Sequence, residues 1–473
     1  MTDSRAATSH TVLAEADGAA YRSLRQRPVT RAERYALGKS LRKRVPRSSL
    51  ADWTASTDRP DPVELINLSH QGRLERLIPI RVGRMVESPY GFLRGTAVVM
   101  AHDVAGLPAT GITPVVCGDA HLGNFGFYAS PELDLVIDLN DFDEAHPGGW
   151  EWDLRRLVAS IWVAGRHNGT TDEHCGAAVR SCVSSYRQEV RRLADLPLFT
   201  RSFLRLDVDR LTQETAGPLQ QQVSRSAKRA RHRTGDRALP RFTHEVDGVR
   251  RIVEEPPLIT RLPDQEAELL ALALDDYLET LPSYWRRVLG GYTLVDVAHK
   301  VVGVGSVGLR AYVALLEGSS DEDVVFLQLK QARRSVLGRY VHGESAWHAH
   351  QGQRVVEYQQ SLQTVSDPLL GWTTMDGLQY YVRQFRNMKG RIPLDSMDAE
   401  ALTDYAGVVG QLLAKGHART SGASMIAGYL GGSAKVDRAL GRFARRYADQ
   451  TEADHAALVA AVARGALPVE RGV

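Results

Sequence analysis

Two rhythms of apolar residues run along the chain. Behind Asp153, the residues Leu154, Leu157, Val158, Ile161 and Trp162 recur at helical spacing, which predicts a buried helix with an acidic cap. Residues 172–235, 264–289, 344–365 and 399–418 also read as helical. The other rhythm is short and β-like. Within 115–143 the runs VVC and LDLVIDL are broken by Gly, Asn and Asp, and predict short strands that deliver polar side chains into loops. In RFTHEVDGVRRIVEE two strand-like runs meet at Asp247-Gly248, a two-residue hairpin signal. From residue 291, YTLVDVAHK, LRAYVALLEG and VVFLQLK are rich in β-branched and apolar residues, with an acidic turn from Ser320 to Asp323; LLGWTT and LQYYVRQF follow. A β-rich region thus sits late in a mostly helical chain, and no internal repeat is visible.

The 473 residues leave room for more than one folding unit at roughly 100–200 residues per domain. With 43% hydrophobic and 24% charged residues the chain can bury a core, which excludes a fibrous or low-complexity protein. A formal net charge of +3 gives no argument for nucleic acid. Cys117, Cys175 and Cys182 are too few for a disulfide framework or a Cys-rich zinc site and fit a reducing compartment. The start of the chain lacks a signal-peptide pattern and no 18 apolar residues run together, so a cytoplasmic location without a membrane partner is expected. Residues 1–50 turn basic (Arg31, Arg34, Lys39, Arg42, Lys43, Arg44, Arg47) and predict a partly ordered arm. Without interleaved aromatics, this run and a second cluster, Arg225 to Arg233, read as solvated helix faces more readily than as anion contacts.

Chemistry concentrates in GDAHLGNFG, residues 118–126, where a glycine-broken loop can converge Asp119, His121 and Asn124 on one point. Asp138, Asp141, Asp143 and Glu144 follow within twenty residues. So many carboxylates repel one another unless a cation or hydrogen-bond donors offset them. Hard oxygen ligands without a nearby thiolate suit magnesium better than zinc, and a divalent ion bound to phosphate oxygens is the economical reading. A second signal is VVGVGSVGLR, in which Gly303, Gly305 and Gly308 frame Ser306 as G-x-G-x-x-G. Leu309, Ala311, Val313 and Leu315 then alternate as a strand would, and VVFLQLK ends at Lys330. Strand, glycine turn, strand, turn and strand ending in Lys is the layout of a kinase small lobe, whose Lys pairs the α and β phosphates of ATP. Glu344 and Glu357 are the acidic partners available to Lys330 in the next helix, and Glu357 is preferred because it lies well inside it.

GDAHLGNFG, DFDEA and the helix opening DLRRL resemble the core of the aminoglycoside and choline phosphotransferases and, more distantly, the protein kinases. SPYGFLRG, CGDAHLGNFG, DLNDFDEAHPG, GVGSVGLR, QLKQA and RQFRNMKG together resemble the bacterial family known as domain of unknown function 2252, over nearly the whole chain beyond the arm. The resemblance implies that Asp119 is the base or hydroxyl-orienting carboxylate. It implies that Asn124 and Asp141 are metal ligands, with Asp143 or Asp138 in reserve. His121 stands where protein kinases carry a Lys two residues after the base, and either touches the transferred phosphate or braces the loop.

In kinases the glycine loop and Lys precede the catalytic loop; here they follow it, the order of a circular permutation. The expected fold is therefore α+β and protein kinase-like, two-lobed and permuted, with a β-rich small lobe and a mostly helical large lobe. Residues 1–50 would be the arm, 51–290 the large lobe with both acidic loops and a helical insert, 291–390 the nucleotide-binding lobe, and 391–473 a helical part completing the large lobe. This order requires Lys330 to lie within about one ATP length of Asp141 and Asn124. The expected function is Mg-ATP-dependent transfer of the γ-phosphoryl group to a hydroxyl of a small-molecule or protein acceptor, with ATP and Mg2+ as cofactors. The alternatives are an inactive ATP-binding interaction protein and a phosphohydrolase using Asp119, His121, Asp138 and Asp141 around two ions. A nicotinamide oxidoreductase, the weakest, needs a helix directly after Gly308.

Overall fold

The computed structural model describes residues 11–12, 29–341, 348–420 and 422–472. Helix α1 (Arg31–Ser40) is followed by α2 (Ile78–Val86) and α3 (Pro89–Gly95). Strand β1 (Val115–Val116) leads into the first polar loop, and the hairpin β2 (Phe125–Ala129) and β3 (Leu135–Leu139) leads out to the second. Helices α4 (Trp150–His167) and α5 (Asp172–Asp195) come next. The predicted hairpin is present as β4 (Thr243–Val246) and β5 (Val249–Ile252), with Asp247 and Gly248 both at positive φ. Strand β6 (Ile259–Arg261) and helix α6 (Asp264–Glu279) precede the main meander β7 (Thr293–Lys300), β8 (Ala311–Glu317) and β9 (Val324–Gln331). Helix α7 (Gln351–Leu362), strands β10 (Gly371–Met375) and β11 (Leu378–Gln384), and helices α8 (Ala399–Arg419), α9 (Ala423–Leu430) and α10 (Lys435–Ala463) complete the set.

The β-rich region forms one antiparallel sheet in the order β10-β11-β9-β8-β7-β6. Its strands hold because both faces are covered, as near-continuous apolar runs demand. Along β8, Tyr312, Ala314 and Leu316 pack with Leu270 and Tyr277 of α6, while Val313 and Leu315 pack with Phe242 and Ile252 on the other face. A strand, not a helix, therefore follows Gly308. The remaining helices share a separate, larger core: Leu154, Leu157 and Ile161 of α4 meet Val179 and Cys182 of α5 and Tyr405, Val409 and Leu413 of α8. The molecule is an α+β protein with a sheet-centred part and a helical part. Among the described residues no helix is long and apolar enough to cross a membrane, and all three cysteines are free and buried.

Several expectations change in detail. Helix α4 begins at Trp150 with Gly149 as its N-cap, so Asp153 lies inside the first turns and is not the cap. The 264–289 stretch is two helices, α6 and Ser283–Leu289, parted at Pro282 because proline cannot continue the hydrogen-bond ladder. The 172–235 stretch is likewise divided, first at Pro197. Residues 342–347, and with them Glu344, lie outside the described residues. Over residues 31–51 the expected arm is part of the helical core. Helix α1 packs on α9, Leu50 and Ala51 are buried, and two residues of the basic run, Arg42 and Arg47, reach back to α9. Arg42 donates to the carbonyls of Tyr429 (2.8 Å) and Gly428, and Arg47 to that of Leu430 (2.7 Å), satisfying the C-terminal carbonyls of α9.

Candidate functional site

The loop after β1 is drawn into shape by α4. Asp153 accepts hydrogen bonds from the backbone N–H groups of Cys117 (2.6 Å) and Gly118 (2.8 Å), and its Oδ2 meets His417 Nε2 at 3.1 Å. Gly118 sits at φ +80°, and a Cβ there would stand 2.2 Å from the Glu144 carbonyl oxygen, so only glycine lets the two acidic loops touch. One turn along α4, Arg156 donates to Asp119 Oδ1 from Nε at 2.8 Å. Burial pushes the Asp119 carboxyl up to about 6 against the pull of Arg156. His121 accepts from the Gly123 N–H through Nδ1 at 3.1 Å; burial, then Arg94 and Arg156, hold its ring well below the ordinary value and hence neutral.

Asn124 ties the two loops together. Its Nδ2 donates to the carbonyls of Asp119 (3.2 Å) and Asp141 (3.0 Å), and its Oδ1 accepts from the Asp141 N–H at 2.7 Å. The amide therefore cannot turn without breaking the loop pair. Asp141, half-exposed, has Oδ1 3.9 Å from Lys330 Nζ. Burial in the cleft, then the charge of Asp143, holds its carboxyl above the usual range. Asp143 is fully engaged: Oδ2 accepts from Lys330 Nζ (2.9 Å) and Ser306 Oγ (2.8 Å), Oδ1 from the Tyr381 hydroxyl (2.7 Å). Burial opposes its charge, but Lys330 and the two hydroxyls win and hold it well below the usual carboxylate range. Reciprocally, Asp141 and Asp143 overcome burial and hold Lys330 well above an ordinary lysine. Glu144 accepts from the Val336 N–H at 2.7 Å and is pushed up to about 7 by burial.

The glycine turn lies against this cluster. Between β7 and β8, Gly303 caps a single 3₁₀ turn at Val304–Ser306. Arg73 donates to the carbonyls of Gly305 (2.9 Å) and Val307, and the Gly308 carbonyl accepts from the Leu74 N–H at 2.8 Å. Its carbonyls are so occupied, while the Ser306 and Val307 N–H groups donate back to the Gly303 carbonyl at 2.9 and 3.0 Å. A cavity of about 350 Å³ lies on one side, walled by Asp119, Asp141, Asp143, Gly305 and Ser306. A larger one of about 970 Å³ lies on the other, walled by Gly303, Gly123, Asn140 and the 389–391 segment.

Lys330 and Asn124, far apart in the chain, thus both contact Asp141. The structure also separates residues the sequence groups together. Glu357 is not the partner of Lys330: it receives His348 Nε2 and Gln353 Nε2, each at 2.7 Å, because α7 turns that face away from the cleft. The acids of the metal loop take its place. Asp138 is paired with Lys415 inside the helical core, out of reach as a ligand. Among the described residues no three His, Cys, Asp or Glu side chains converge as a metal cage.

A family model described as an uncharacterized protein conserved in bacteria (DUF2252) matches residues 73–461. The chain belongs to this family. No curated protein and no solved structure matches it. Within the stretch shared with the DUF2252 family lie both acidic loops, the glycine turn and Lys330. It also contains residues that sequence reasoning passed over: Arg73, Arg156, Tyr381 and Lys389. Tyr381 and Lys389 stand in or beside RQFRNMKG; the Lys389 Nζ is buried without a hydrogen-bond partner on the wall of the larger cavity.

Proposed function

We propose that this DUF2252 protein is a Mg-ATP-dependent phosphotransferase of permuted, protein kinase-like, two-lobed architecture. In this reading the sheet is the small lobe and the helices are the large one. One observation carries it. A lysine ending the third strand of a meander, a serine of the glycine turn before it, and a carboxylate from a loop 187 residues earlier share one hydrogen-bonded cluster. Such a convergence is what phosphoryl transfer needs, since its catalysis is almost entirely positioning and electrostatic stabilisation.

In this reading the base enters through the larger cavity, beside Lys389, and the phosphates lie beneath the glycine turn. Lys330 exchanges its carboxylate partner for phosphate oxygens. Asp141, half-exposed and beside the amide of Asn124, would hold a magnesium ion. Magnesium held there supplies neutralisation of the phosphate charge, with Asp143 as the reserve ligand. Asp119 accepts the proton of the acceptor hydroxyl while Arg156 fixes its orientation. Neutral His121 braces the loop through Gly123.

Calorimetric titration with ATP, with and without Mg2+, tests the binding half, and ATP turnover, to water when no acceptor is supplied, tests the chemistry. Asp119→Ala is expected to lower turnover by roughly 10²–10⁴-fold while leaving ATP affinity intact, the span of a lost general base. Asp141→Ala is expected to remove the magnesium dependence of binding. Unchanged turnover in the first variant, or no ATP binding by the folded wild type, would sink the proposal. A second reading, an ATP-binding protein without turnover, draws on the saturation of Asp143 by three donors; nucleotide binding with no turnover in the wild type would select it.

A further inference from the structure

The smaller cavity has a cationic lining as well as an acidic one. Besides the acids, Arg73, Arg81, Arg94 and Arg333 line it. Among the described residues none of these four forms an ion pair with a carboxylate, although acids line the same space. Arg73 has an evident structural task, holding the glycine turn by its carbonyls. Arg81 does not. It is 1% exposed, its Nη2 donates to the Gly95 carbonyl at 2.7 Å, and its buried Nε and Nη1 have no partner. Arg94 Nε is likewise buried and unpaired. Burial first, then the charges of Arg73 and Arg333, depresses the Arg81 guanidinium, so these cations are held together against both desolvation and mutual repulsion. Each nitrogen of the Arg73 guanidinium, by contrast, donates to a backbone carbonyl. Unpaired N–H donors lining a cavity are the complement of an oxyanion.

We propose that this cavity is the acceptor subsite and that the acceptor carries a phosphate-like anionic group, which Arg81 and Arg333 bind while its hydroxyl faces Asp119. The assignment of the anion to an acceptor rests on the phosphotransferase reading; the anion site itself does not. The same donors could serve the phosphates of the nucleotide, and the two sources separate experimentally. Inorganic phosphate is titrated calorimetrically into the full chain, first alone and then with the site saturated by magnesium and a non-hydrolysable ATP analogue. The expected result is one phosphate bound in both cases. Arg81→Gln is expected to weaken it tenfold or more and Arg81→Lys less, with analogue affinity within twofold of wild type. Arg333→Gln provides the same readout from a less buried position should Arg81→Gln fail to fold by circular dichroism.

Loss of phosphate binding on saturation with the analogue, together with loss of analogue affinity in the arginine variants, would overturn the proposal by assigning the arginines to the nucleotide. Absence of phosphate binding in the folded wild type would overturn it outright. Phosphate bound through Arg81 by a protein that takes no nucleotide would keep the anion site and overturn its acceptor role along with the phosphotransferase reading.

Discussion

Asp119 carries a charge that its surroundings resist. With its carboxyl near 6, a proton is taken up in mildly acidic solution, and a protonated Asp119 cannot accept the hydroxyl proton of an acceptor. Turnover is therefore expected to fall as pH drops through about 6, and a profile flat from 7 to 5 would contradict that role. Glu144 makes the corresponding statement about stability. Its folded value of about 7 stands above its unfolded value, so the native state holds the extra proton between about 4.5 and 7, and ionisation costs stability as pH rises through that window. Glu144→Gln keeps the acceptor for Val336 and removes the charge. Thermal melts should show the variant more stable than wild type above pH 7, with the difference closing toward pH 4.5. At this scale the sequence marked the two acidic loops and Lys330, which do meet, but also Asp138 and Glu357, which do not. It did not show what each would touch. Asp153 looks like a helix cap and Glu357 like a lysine's partner because both are acids beside the right element. Their partners, His417 and His348, are set by helix rotation, which a linear pattern does not encode.

Helices α5 and α8 approach very closely in the helical core. A Cβ on Gly410 of α8 would lie 2.3 Å from the Cys182 carbonyl of α5, so the two backbones touch there. Alanine gains about 1 kcal/mol of helix propensity, yet overpacking at such a contact costs about 1–3 kcal/mol and dominates. Gly410→Ala should lower the midpoint of chemical denaturation. Gly441 in α10, where a Cβ meets nothing within 4 Å, is the opposite case: Gly441→Ala should gain about 0.5–1 kcal/mol in the same measurement. The central strands β8 and β9 were legible because both of their faces are covered, leaving unbroken apolar runs. The basic run around Pro46 looks solvated in sequence, and most of it is, but Arg42 and Arg47 cap carbonyls of α9 nearly 400 residues away.

Across the whole molecule the site exists only where the two parts meet. Lys330 is buried and its counter-charge comes from the other part. Lys330→Met should cost about 3 kcal/mol, the low end for stranding one partner of a buried pair, because Asp143 keeps the hydroxyls of Ser306 and Tyr381. Lys330→Met with Asp143→Asn should recover much of that loss in urea denaturation, and additive losses would show that the pair contributes no coupling. The order of the motifs was plain in the sequence, while the arginine wall was not, since Arg73, Arg81, Arg94 and Arg333 carry no spacing that marks them as neighbours.

The same connectivity has a consequence during synthesis. Asp143 leaves the ribosome 187 residues ahead of Lys330, an interval of about 10–40 s at cellular elongation rates. During it the acidic loop has no lysine to balance it, and helices α8 to α10, which complete the helical core, emerge later still. The cluster closes only when the sheet emerges, so the last strands to be translated complete a site whose first half has long been made.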